Sequence, residues 1–146
     1  MAYRGKYKVK VPDKYLGDPS KVTYRSSWEY EVFNFFEQSN KIGSWASEEI
    51  IIPYLDHKGQ KHRYFPDVYF EHANGKKYLV EIKPLAQTRP PKEGKSKRRF
   101  IKEQIRYKIN QNKWIAAKDF CDRHGLVWMV WTEKDLIKNL GLNLKY

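Results

Sequence analysis

The chain has 146 residues, enough for one domain with a core of its own. Hydrophobic residues at 40% and aromatics at 16% exclude a disordered chain, and a single cysteine, Cys121, excludes an intrachain disulfide. Lys and Arg total 29 against 17 Asp and Glu, leaving +12, so a polyanion is the natural partner, with DNA or RNA first.

The charge is laid out in blocks. Residues 1–25 hold seven basic and two acidic groups, +5, and residues 89–118 hold eleven and two, +9. The stretch between the blocks carries −2. Neither a signal peptide nor a membrane span is expected, because no apolar run approaches ~20 residues and none follows the charges of MAYRGKYKVK.

Residues 1–25 mix turn formers with lysines and tyrosines at no regular period. They read as a basic N-terminal arm that orders against a partner, ahead of a domain over 26–146. Ser26-Ser27-Trp28-Glu29 opens a helix with Ser26 as its cap and Glu29 in a capping box. Trp28, Val32, Phe35 and Phe36 give it an apolar face, and Asn40 and Gly43 end it. Three strands are predicted next: Glu48 to Leu55, Arg63 to Glu71, and Lys77 to Leu85.

The segment 87–97, rich in Pro and Lys, reads as a mobile basic loop. Arg98 to Arg123 is helical, with a break near Asn110-Gln111-Asn112. Ile101, Ile105 and Ile109 form one stripe on it, and Trp114, Ala117 and Cys121 continue an apolar face. Leu126 to Trp131 reads as a strand buried on both faces. Thr132 caps a last helix, with Asp135 in its capping box and Gly141 as its stop. The order predicts an α/β sandwich around a mixed sheet.

The third strand breaks its apolar pattern at Glu81 and Lys83, which share one face, while Val80 and Ile82 point to the other. A three-residue loop, Ala73-Asn74-Gly75, would set Asp67 of the preceding strand directly opposite Glu81, with Gly75 left-handed. Two opposed carboxylates repel unless a cation lies between them. Hard oxygen ligands with room for water suit Mg²⁺ or Mn²⁺. Lys83 beside them could serve a water nucleophile or steady a phosphate. With a basic surface to hold DNA, this constellation describes a phosphodiester hydrolase.

Pro66-Asp67 followed by Glu81-Ile82-Lys83 resembles the PD-D/E-x-K nuclease motif. Wider stretches are similar to the head-completion nucleases of T-even-type tailed phages. They include 24–29, Trp45-Ala46-Ser47-Glu48, Ile52-Pro53-Tyr54, 62–67, Lys14-Tyr15-Leu16-Gly17-Asp18 and Asn112-Lys113-Trp114. A more distant likeness is to the endonuclease subunit of heteromeric cut-and-paste transposases, which carries Gln at the place of Glu81. The resemblance implies a restriction-endonuclease-like three-layer sandwich, with a central mixed sheet flanked by helices. It further implies Mg²⁺-dependent cleavage of DNA in head completion after packaging. It also brings Glu29 into the site as a further metal ligand, through the Ser-x-x-Glu helix.

The expected site is therefore Asp67 and Glu81 as metal ligands, joined by Glu29 and the backbone carbonyl of Ile82, with Lys83 serving the attacking water. Lys92, Lys95, Lys97, Arg98, Arg99, Lys102 and Arg106 are expected to hold the backbone of double-stranded DNA. Gln104 and Tyr107, near one helical turn apart, give a weaker hint of a site pair. Glu48 reads as a supporting residue and His62 as structural. The implied setting is the host cytoplasm during phage assembly, with portal or neck proteins as partners and no membrane. Two alternatives stay open. One is a transposase-type or junction-cleaving endonuclease, and the other is a non-catalytic DNA-binding protein of the virion neck.

Overall fold

The structure, a computed structural model, describes residues 2–94 and 96–144. Strand β1 (Ala2–Lys6) pairs antiparallel with β2 (Thr23–Ser26), which runs straight into α1 (Ser27–Gln38). Five strands follow: β3 (Ile42–Ser47), β4 (Ile52–Leu55), β5 (Lys61–Tyr64), β6 (Val68–His72) and β7 (Lys77–Ile82). The long α2 (Lys97–His124) then leads to β8 (Val127–Trp131) and α3 (Glu133–Leu140).

The central sheet has the order β3-β6-β7-β8. β3, β6 and β7 are antiparallel neighbours, and β8 lies parallel to β7 because the α2 crossover returns the chain to the same end. Alternation along the strands gives the sheet two covered faces. Val68, Phe70, Val80 and Ile82 pack with Val32, Phe33 and Phe36 of α1 and Leu136 of α3. Leu79 and Trp128 pack with Trp114, Ala117 and Cys121 of α2. This is the expected sandwich with a mixed sheet and flanking helices.

Ser26 caps α1 as predicted, accepting from the Glu29 N–H at 3.2 Å. The Thr132–Asp135 capping box and the left-handed Gly141 bound α3 as predicted. Other expectations change.

The N-terminal segment needs no partner to order. Tyr7, Tyr15 and Val22 enter the core, and the Tyr7 hydroxyl lies 2.6 Å from Glu37 Oε2. Glu37 Oε1 accepts the backbone N–H groups of Lys10 and Val11, so this buried carboxylate is fully used. Lys14 Nζ donates to the carbonyls of Phe36, Glu37 and Ser39 and so closes the C-terminus of α1. The core residues lack a period because the segment is irregular, with two 3-10 turns, Pro12–Lys14 and Pro19–Lys21.

The strand β3 is an addition to the predicted elements, since Asn40 and Gly43 read only as the end of the preceding helix. The predicted strand from Glu48 begins too early: Glu48 takes a left-handed φ of 53°, and only Ile52–Leu55 is extended, paired with β5 in a separate hairpin. The predicted strand from Arg63 is cut at Pro66, which has no N–H for a ladder.

α2 runs unbroken through Asn110-Gln111-Asn112, where neither Gly nor Pro intervenes. Its 28 residues span about 42 Å, twice the ~20 Å of the six-residue β7, so its first half extends past the sheet. The stripe of Ile101, Ile105 and Ile109 consequently faces solvent, at 46%, 55% and 42% exposure. β8 is not buried on both faces either: it is the sheet's edge, and Val127 is exposed.

Candidate active site at the β6–β7 hairpin

The turn between β6 and β7 is the three-residue loop. His72 N–H donates to the Lys76 carbonyl, Gly75 N–H to the His72 carbonyl, and Gly75 has a φ of 93°. The register runs from Glu71 opposite Lys77 to Val68 opposite Val80. One further step sets Asp67 opposite Glu81, as the loop length predicts.

Each carboxylate is held by a donor. Ile82 N–H donates to Asp67 Oδ2 at 2.7 Å, and the buried Tyr64 hydroxyl donates to Glu81 Oε1 at 2.6 Å. The other oxygen of Glu81 lies 3.6 Å from Lys83 Nζ. Glu29, 7% exposed, approaches from the first turn of α1, its Oε1 accepting the Arg25 N–H at 3.3 Å. Its carboxylate thus turns to Arg25, one residue before the cap. Glu48 stands beside Glu29 and pairs with the Arg25 guanidinium at 2.8 Å.

These groups line one cavity of about 360 Å³ together with Arg63, Phe65 and Lys113. Lys113 reaches it from α2, its ammonium 5.6 Å from the centre of the Tyr64 ring.

The electrostatics follow from crowding acids in a poorly solvated place. Burial, then the charges of Glu81 and Glu29, lift the Asp67 carboxyl well above its ordinary range, against the pull of the Ile82 N–H and Lys83. Burial pushes Glu29 up to about 7, with Glu48 and Glu81 adding to the rise and Arg25 opposing it. Burial raises Glu48 as well, less the effect of Arg25. Burial and Glu81 also raise the Tyr64 phenol, which therefore stays a proton donor to Glu81.

Among the described residues no three acidic, histidine or cysteine side chains converge at metal-binding distance. The donor chemistry nevertheless fits a hard divalent cation: the oxygens belong to acids whose charges oppose one another.

The sequence-predicted Glu29, Asp67, Glu81, Ile82 and Lys83 all meet here. The expected DNA contacts lie elsewhere. Lys97, Arg98, Arg99, Lys102 and Arg106 are exposed along the first half of α2, and Lys92 is exposed on the loop before it. Lys95 lies outside the described residues. His62 stacks on Tyr54 and pairs with Asp56 at 2.8 Å, which fixes the β4–β5 hairpin. Gln104 and Tyr107 part company, lining different surface cavities.

Sequence reasoning gave no role to Tyr64, Arg63, Arg25 or Lys113. Their signal was available, since each lies in a stretch similar to the phage nucleases, but no local spacing tells that α2 carries Lys113 back over the hairpin.

The chain matches the family described as TnsA-like endonuclease N terminal over residues 39–133, a stretch that contains the whole hairpin. The chain belongs to this endonuclease family. Asp67, Glu81 and Lys83 all lie within the matched stretch. It is also 37% identical to the head completion nuclease of Enterobacteria phage T4, over 97% of this chain and 97% of that protein. Among the described residues, no helix is long and apolar enough to cross a membrane.

Proposed function

We propose that the protein is a Mg²⁺-dependent DNA endonuclease that acts on phage DNA during head completion, after packaging. The observation that carries this reading is the opposition of Asp67 and Glu81 across the hairpin, with Lys83 Nζ 3.6 Å from Glu81. The similarity to the phage head completion nuclease supports the setting. On this reading the protein acts in the host cytoplasm, with portal or neck proteins as its partners.

Asp67 and Glu81 would hold the metal, with Glu29 and the Ile82 carbonyl completing the set. Mn²⁺ would substitute. The bound ion would supply charge to offset the developing negative charge on the phosphate and would lower the pKa of a water. Tyr64 and the Ile82 N–H keep the two carboxylates in fixed orientations. Lys83 orients the attacking water and steadies the negative charge that develops on the phosphate. Arg63 and Lys113 on the cavity wall bind the phosphates that flank the one cut.

The test is cleavage of linear and supercoiled duplex at low salt with Mg²⁺, Mn²⁺ or EDTA. Wild type is expected to cut only with metal. Asp67→Ala is expected to abolish cutting, and Lys83→Ala to lower its rate by about 10²–10⁴-fold, both with DNA binding retained. Wild-type cutting in EDTA, or undiminished cutting by Asp67→Ala, would overturn the reading.

A further inference from the structure

Arg25 and Glu48 line the cavity of the hairpin but have no part in the chemistry described so far. Arg25 is fixed at two points. Its backbone N–H donates to Glu29 Oε1 at 3.3 Å, and its guanidinium meets Glu48 Oε1 at 2.8 Å. The rest of that guanidinium is open. The Arg25 side chain is 64% exposed, against 17% for Glu48. A planar fork of N–H groups that gives one to a carboxylate keeps the others for a second acceptor, and a phosphate fits it best.

Glu48 needs an explanation in this place. Asp67, Glu81 and Glu29 already crowd the cavity, and a further carboxylate beside the path of a polyanion repels it. The chain also takes up an unfavourable conformation to put it there. Among the described residues Glu48 alone, glycines aside, has a positive φ, at 53°. This bend follows β3 directly and leaves the Glu48 N–H donating to the Asp67 carbonyl at 3.2 Å. The residue that grips Arg25 is thus itself anchored to the backbone of Asp67. An ion pair this exposed adds little stability, so fastening β2 to the end of β3 does not account for it.

The two walls of the cavity also differ in origin. α1 and α2 cover opposite faces of the sheet. Arg25 comes from the strand that leads into α1, and Lys113 comes from α2. A strand whose phosphate lies at Asp67 and Glu81 would meet cations on both sides.

We propose that Arg25 binds a phosphate of the substrate strand beside the scissile one, and that Glu48 is the positioning residue that aims its guanidinium. The proposal rests on the nuclease reading of the hairpin, and it adds a contact on the α1 side to those of Arg63 and Lys113. Because Glu48 holds the guanidinium before DNA arrives, less side-chain freedom is lost on binding.

The test is duplex binding by the full chain in EDTA, followed by fluorescence anisotropy over a series of salt concentrations. Arg25→Ala is expected to weaken binding about tenfold at low salt. It is also expected to flatten the slope of log affinity against log salt by about one, whereas Arg25→Lys keeps the slope. A purely structural ion pair would leave the slope alone. Glu48→Met keeps the length of the side chain and removes its oxygens, and Glu48→Gln keeps one acceptor. In the Glu48→Met background Arg25→Ala is expected to cost only about twofold, with Glu48→Gln in between. Thermal melting checks that each variant folds. An unchanged slope in folded Arg25→Ala would overturn the phosphate contact. A loss from Arg25→Ala that is as large in folded Glu48→Met or Glu48→Gln as in wild type would overturn the aiming role. A larger loss would do the same, since Glu48 would then be masking Arg25. Failure of wild type to cut any DNA with Mg²⁺ would count against the nuclease reading alone, because every one of these readouts is taken without metal.

Discussion

The two oxygens of Glu81 are committed to different neighbours, Oε1 to the Tyr64 hydroxyl and Oε2 to the side of Lys83. Tyr64 therefore fixes the direction in which this carboxylate can offer its remaining lone pairs. Tyr64→Phe keeps the ring and the packing but frees Oε1. It is expected to raise the Mg²⁺ concentration for half-maximal cleavage about 10–100-fold, with much of the rate recovered at saturating metal. A metal titration of cleavage checks this. Residue by residue, the sequence reveals the acids and Lys83 because they sit two apart on one strand and across one hairpin. It hides Tyr64 and Lys113, because their roles depend on how β5 and α2 are laid over that hairpin.

At the scale of elements, the β6–β7 turn decides which residues face each other. Gly75 holds φ at 93°, and a Cβ added there would meet no other atom within 4 Å. The cost of Gly75→Ala is therefore one of backbone conformation, about 1–2 kcal/mol, read as a lower midpoint in denaturant with an unchanged slope. The turn was legible because length and glycine position together select a single register. β3 was not, since Ile42-Gly43-Ser44 carries little strand propensity and the strand is held by pairing with β6 and by the burial of Trp45. The projecting half of α2 was also illegible: periodicity finds an apolar stripe but does not say whether anything covers it.

At the scale of the molecule, two fields compete, a basic surface and a buried acidic cluster. Binding to duplex DNA is expected to weaken steeply with salt, and Lys102→Ala is expected to reduce the slope of log affinity against log salt by about one. The acidic cluster sets a pH dependence of stability. Glu29 titrates near 7 in the fold and near 4.5 when free. Between these values the folded protein keeps a proton that the unfolded chain has released, so stability falls as pH rises through this window and levels off above it. Asp67, also raised, acts in the same direction. In EDTA the melting temperature is expected to drop between about pH 5 and pH 8, and Glu29→Gln is expected to flatten that drop. If the acids hold Mg²⁺ as proposed, the ion binds their ionised forms and is expected to raise the melting temperature more at the higher pH.

The anchoring of the N-terminal segment bears on how small this enzyme can be made. A fragment trimmed to the family-matched stretch, residues 39–133, would still contain Asp67, Glu81 and Lys83. It would lack Glu29 and all of α1, and the Trp45 ring would lose the edge-on contacts of Tyr7 and Tyr15. Removing only the first two dozen residues would also strip the carboxylate of Glu37 and the last carbonyls of α1 of their donors. The minimal working unit is therefore close to the whole chain. The lysines and tyrosines at its start are part of the scaffold, and a shortened chain built to remove a basic tail would be expected to collect as insoluble protein.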